Sequence, residues 1–111
     1  MEYRSPIPVS VDQAEEAFSR GKVGEICATL ISVALNIHDR EWVESRIVAY
    51  LRHEDAILRR CAAVSLGHSA RVHGAVGPEV LATIQSLMTD PAMVGSAEDA
   101  MSDIEMFARR K

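Results

Sequence analysis

Aromatic side chains, basic excess and long apolar runs are scarce in this sequence, and each shortage removes a class of function. Phe, Tyr and Trp make up 5% of the chain, with a single Trp. A core drawn from the 48% of hydrophobic residues must therefore be built from Ala, Val, Leu, Ile and Met. Several of these are good helix formers, and small ones let helices approach closely. Acidic residues outnumber basic ones by 16 to 12, for a net charge of −4. Nucleic-acid binders ordinarily present a basic face to the phosphates, so no nucleic-acid partner is expected. No apolar run approaches the roughly 20 residues that span a bilayer, so no membrane association is expected either. The two cysteines, Cys27 and Cys61, form no Cys-x-x-Cys pair and no Cys/His cluster at metal spacing. Each sits in an apolar run and reads as a buried thiol in a reducing compartment. Residues 1–8 are polar and broken by Pro6 and Pro8, unlike a secretory signal, so a cytoplasmic location is expected.

What is present is helical periodicity. Residues 1–10 read as an extended leader, and residues 11–111 as one domain, a usual length for one. Ala14, Ala17 and Phe18 share one face over residues 11–20, which Gly21 ends. Residues 22–36 carry Val23, Ile26, Cys27, Leu30, Ile31 and Ala34 at helical spacing. Asp39 is an N-cap for residues 40–52, and the His53-Glu54-Asp55 break precedes the longest helix, 56–73. Gly74 and Gly77-Pro78 close that helix and open 79–88, and Pro91 opens 92–109, whose apolar stripe runs from Met93 through Ala100 and Ile104 to Phe107. Six helices in three antiparallel hairpins (about 11–37, 39–74 and 78–110) are expected, and no strand.

The hairpins repeat. Adding 35 to Asp55, Leu58, Ala62 and Leu66 gives Asp90, Met93, Ala97 and Met101, and subtracting 35 gives Arg20, Val23, Cys27 and Ile31. A fixed step of this size signals stacked units that bury their apolar faces on one another. Residues 55–67 resemble the HEAT-repeat signature, Asp-Pro-x-Val-Arg followed by two variable residues, Ala-Ala, one variable residue and Ala-Leu-Gly. Asp55, Arg59, Ala62, Ala63, Leu66 and Gly67 match it. In the last hairpin Asp90, Pro91, Ala97 and Ala100 match, while Val94 and Ser102 replace the Arg and the Gly. The first hairpin lacks both the Asp-Pro turn and the Arg. The resemblance implies an all-α fold, a short α-solenoid or superhelical stack of three HEAT-like hairpins with degenerate ends, and it implies that the Asp55–Arg59 pair locks consecutive hairpins.

Catalytic chemistry is not assembled. His68 and His73 are five apart and do not share a helix face, so they read as solvent-facing or capping residues near a helix C-terminus. There is no Gly-x-Ser-x-Gly and no Gly-rich phosphate loop, so no enzyme and no cofactor are expected. The last helix is more suggestive. Glu98, Ser102 and Glu105 lie at i, i+4 and i+7, and Asp99 with Asp103 forms the adjacent row. Their counterparts 35 residues earlier include Ala63, Gly67 and Ala70, which suggests a shallow groove with acidic walls, bordered by Val64, His68 and Arg71. Trp42 either packs between hairpins or stands exposed as a partner anchor.

Residues 64–74 and 97–107 are similar to those of small stand-alone bacterial HEAT-like proteins, some of which belong to toxin–immunity systems. That resemblance implies an immunity protein binding a basic toxin, such as a nuclease, through Glu98, Asp99, Ser102, Asp103, Glu105, His68, Arg71 and Trp42. The alternative is a general helical scaffold or assembly module, with self-association possible through an apolar edge of the first or last helix.

Overall fold

The computed structural model describes residues 9–110, with Arg109 and Arg110 described by backbone only. The expected leader lies outside the described residues except for Val9 and Ser10. Val9 packs on the core, and Ser10 caps helix α1, Val11–Arg20, in a capping box with Gln13. The helix ends on Gly21, whose φ of 74° is one that a side chain would strain. Helix α2, Val23–Asn36, follows at once, and Arg20 ties the corner by pairing with Glu16 on its own helix and Glu25 on the next.

Asp39 caps α3, Arg40–Leu51, by accepting from the Trp42 N–H, and Asp55 caps α4, Ala56–His73, by accepting from Ile57 and Leu58. Arg71 and His73 stand in the last turn of α4, where the helix dipole favours positive charge. Helix α5 is Pro78–Ser86, shorter than the sequence pattern because Leu87–Thr89 tightens into a 3₁₀ turn. Helix α6 is Val94–Phe107. Pro91 therefore belongs to the preceding turn and not to the first turn of the helix.

The helices stack in two layers. Helices α2, α4 and α6 pack side by side in that order, with α4 also packed on α3, while α3 packs on α5 in the other layer. Each hairpin is antiparallel, so α2, α4 and α6 run in the same direction. Leu30, Val33, Ile47, Leu51, Leu66, Ile84 and Ile104 are fully buried between the layers. The expectation of an all-helical hairpin stack stands, and three units make a body of 31 × 29 × 27 Å with no pronounced long axis. One departure from it is a two-residue parallel pair, β1 (Ala75–Val76) with β2 (Arg109–Arg110), that ties the chain end to the corner after α4.

Two further expectations are corrected. Cys27 and Cys61 are not free thiols. They form a disulfide between α2 and α4, half-buried, with Cα atoms 5.4 Å apart. Asp55 and Arg59 do not pair within α4 either. Asp55 is occupied with capping, and Arg59 instead reaches Asp90, the counterpart of Asp55 in the next hairpin, at 3.9 Å, while donating to the His53 carbonyl at 3.3 Å. Arg59 thus joins two hairpins, which is the locking role assigned to the pair, performed across the junction.

Candidate protein-binding surface

Helix α4 is the middle of its layer, and its residues sort by direction. Ala63, Gly67 and Ala70 are buried on the side facing α6. The approach there is close enough that a Cβ on Gly67 would collide with Asp103 Oδ2. Cys61 marks the side facing α2. Between these sides Ile57, Arg60, Val64 and Arg71 face solvent, with Ile57 and Val64 about half exposed at 51% and 50%. His68 lies in the same strip, half-buried. On α2 the corresponding strip is Gly24, Ala28, Ile31 and Leu35, exposed or half-buried and without charge. On α6 it is Asp99, Asp103 and Met106, the counterparts of Val64, His68 and Arg71.

The expected groove is therefore absent, and the reason is the stacking itself. The small row of Ala63, Gly67 and Ala70 is the surface on which the next hairpin sits. Its acidic counterparts Glu98, Ser102 and Glu105 are exposed on α6, with no described helix packed over them. They form the outer edge of the stack, next to and not opposite the strip that carries Asp99 and Asp103. Trp42 is half-buried and packs against the core from the other layer, away from this strip. The sequence-derived residues thus separate into a face (His68, Arg71, Asp99, Asp103), an adjoining edge (Glu98, Ser102, Glu105) and one packing residue, Trp42. Phe107, expected to point inward, is 45% exposed at the end of α6, beside Met106 at 71%.

The two helices are segregated by charge. Helix α4 carries Arg59, Arg60 and Arg71 and no acid, while α6 carries Glu98, Asp99, Asp103 and Glu105 and no base. At the seam His68 Nδ1 contacts the Arg71 guanidinium, and Asp103 leans across Gly67 towards the same imidazole. Burial pushes the His68 pKa below the usual histidine range. Arg71 adds to the shift and Asp103 opposes it. His73 is shifted the same way, first by burial and then by Arg40, against the pull of Glu44. A folded-state pKa below the unfolded value of about 6.5 means that the unfolded chain takes up more protons as pH falls through that value. Stability contributed by the neutral rings is complete above about pH 6.5 and declines below it. Denaturant unfolding at pH 7 and pH 5 is expected to show a smaller loss for His68→Gln/His73→Gln than for wild type; equal losses exclude these rings as the cause.

Sequence reasoning missed Glu44. This carboxylate, 8% exposed, accepts the Gly77 N–H at 3.1 and 3.2 Å and pairs with Arg40 at 3.2 Å. It caps α5 from α3, since Gly77 has no side chain to do so. The one local hint was Arg40 four residues earlier.

No family model matches the chain, and no curated protein matches it. A solved structure does. The chain is similar to one in the crystal structure of a CDI complex from Cupriavidus taiwanensis LMG 19424. The TM-score is 0.84 at 25% sequence identity, over 96% of each chain. The likeness extends over nearly the whole of both molecules, so the two-layer stack is shared in full and not through one hairpin. Among the described residues no group of three or more His, Cys, Asp or Glu is placed to hold a metal ion, and no helix is long and apolar enough to cross a membrane.

Proposed function

We propose that this chain is an immunity protein that neutralises a toxin by binding it, and that it acts without catalysis. The observation that carries the reading is the full-length likeness to a chain of a CDI complex, CDI denoting contact-dependent inhibition, in which toxin and immunity protein are matched. The choice of the immunity half rests on charge. A net charge of −4 and a helix with four acids and no base complement a basic toxin such as one that acts on nucleic acid. The HEAT-like pattern at residues 55–67 adds support, since such stacks present one helix layer to a partner. The partner's basic region meets α6, and its uncharged region meets Val64 and the α2 strip.

The test uses the toxin domain encoded beside this chain's gene. Wild type is expected to bind that domain and to restore growth of cells expressing it. Glu98→Lys/Asp99→Lys changes two exposed residues and is expected to weaken binding about 100-fold, roughly 1.4 kcal/mol for each reversal, with the loss mainly in association rate. Asp12→Lys/Glu41→Lys, at exposed positions on α1 and α3, serves as a control of equal charge change. Failure of wild type to bind sinks the immunity reading; equal binding by both reversals sinks the acidic surface. A second reading, self-association, is favoured by the exposure of Met106 and Phe107, and sedimentation of the chain alone decides it.

A further inference from the structure

The two junctions between hairpins are held by different chemistry. Between the second and third hairpins Arg59 reaches Asp90, Arg52 donates to Thr83 at 3.3 Å, Glu44 caps Gly77, and β1 pairs with β2. Between the first and second, the position equivalent to Arg59 is Gly24, which has no side chain to reach Asp55. What the described residues show at that junction is apolar packing of α2 on α4, the Phe18–Tyr50 ring contact at 5.4 Å, an Arg46–Glu15 pair at 3.6 Å and the His73 ring against the Ile37 backbone. Both partners of that pair are substantially exposed, so it contributes little. The one covalent tie is the Cys27–Cys61 bridge.

We infer that Cys27–Cys61 is a thiol–disulfide exchange site, a redox-controlled latch that holds the first hairpin to the rest of the stack. The bridge is half-buried, at the border of the solvent-facing strips of α2 and α4, so a small dithiol can reach it. One thiolate of the dithiol attacks either sulfur, forms a mixed disulfide and expels the other cysteine as a thiolate. The second dithiol sulfur then closes on the first and releases the remaining cysteine. Two electrons and two protons pass to Cys27 and Cys61, and the dithiol becomes its cyclic disulfide. After that step the first hairpin keeps its side-chain packing, the Arg46–Glu15 pair and the His73 contact with the Ile37 backbone, while the Arg59, Glu44 and β-pair ties of the other two hairpins are untouched. The effect is local because the 34-residue separation of the cysteines bridges this junction and no other.

Hydrogen exchange on the chain alone tests this, independently of any toxin. The oxidised protein is compared with the same protein in dithiothreitol and with Cys27→Ala/Cys61→Ala, after mass spectrometry of a non-reduced digest establishes the starting bridge. Amides of α1 and α2 are expected to exchange roughly 10²- to 10³-fold faster once the bridge is gone, the factor that closing a loop of this length supplies. Amides in the middle of α4 and α6 are expected to change by less than about tenfold. Absence of the bridge in the oxidised protein, no acceleration in α1 and α2, or equal acceleration along the whole chain each overturns the latch.

Discussion

Leu66→Ala is expected to lower the free energy of unfolding by about 3–5 kcal/mol, while Val64→Ala, two residues away, lowers it by less than about 1 kcal/mol. Leu66 has no exposed surface and lies in the middle of α4, the helix that packs on α2, α3 and α6 alike. Its truncation opens a cavity bounded by backbone that is fixed from several sides and cannot collapse. Val64 is half exposed on the solvent strip and leaves no cavity. A domain of this size has roughly 5–15 kcal/mol in total, so the first change removes about a fifth or more of it. Urea unfolding of both variants is the measurement, and similar midpoints would mean that the assignment of α4's buried and free sides is wrong.

Glu44→Ala is expected to cost about 2–3 kcal/mol, since it strands the Gly77 N–H at the start of α5 and leaves Arg40 beside an emptied, largely buried position. The carboxylate also stands at the positive end of the α5 dipole, so its charge matters as well as its lone pairs. Glu44→Gln keeps an acceptor for Gly77 and loses the charge, and is expected to recover about half of the deficit. Thermal unfolding ranks the three proteins. Exchange at the Gly77 amide adds a local readout, faster in Glu44→Ala by more than in Glu44→Gln. If Glu44→Gln is as stable as wild type, charge is not what Glu44 supplies; if it is no more stable than Glu44→Ala, the retained acceptor contributes nothing.

The helices were legible because each apolar stripe recurs at helical spacing; three of the six starts also carry side-chain caps, at Ser10, Asp39 and Asp55. Helix α6 began later than expected because Pro91 fits a turn as well as it fits a first helical position, and local chemistry does not separate the two. The Cys27–Cys61 bridge was nearly in view. The 35-residue step aligns Cys27 with Ala62, one position from Cys61, and parallel neighbours in a stack place such residues side by side. Reading each cysteine only against its own helix hid the pairing. Glu44 was less accessible, because its partner is a backbone N–H 33 residues away, and no residue type announces that. The supposed groove failed for a reason particular to repeats. The row that is exposed on α6 is buried on α4, so equivalence in sequence is not equivalence in solvent. Residues 98–105 were correctly read as acidic and accessible, but their placement relative to residues 63–70 required the packing.

That outer edge bears on how copies of the molecule meet. A body made by repeating one unit through a fixed translation ends in a surface suited to receive the beginning of another body, and such head-to-tail contact propagates into filaments when it does not close. On α4 the receiving row is Ala63, Gly67 and Ala70; at the terminus it is Glu98, Ser102 and Glu105. A second copy docking there would have to strip water from two carboxylates, at a cost of several kcal/mol for each that it left without a cation. The same row that leaves the acidic helix open to a foreign basic surface therefore penalises polymerisation of the chain with itself.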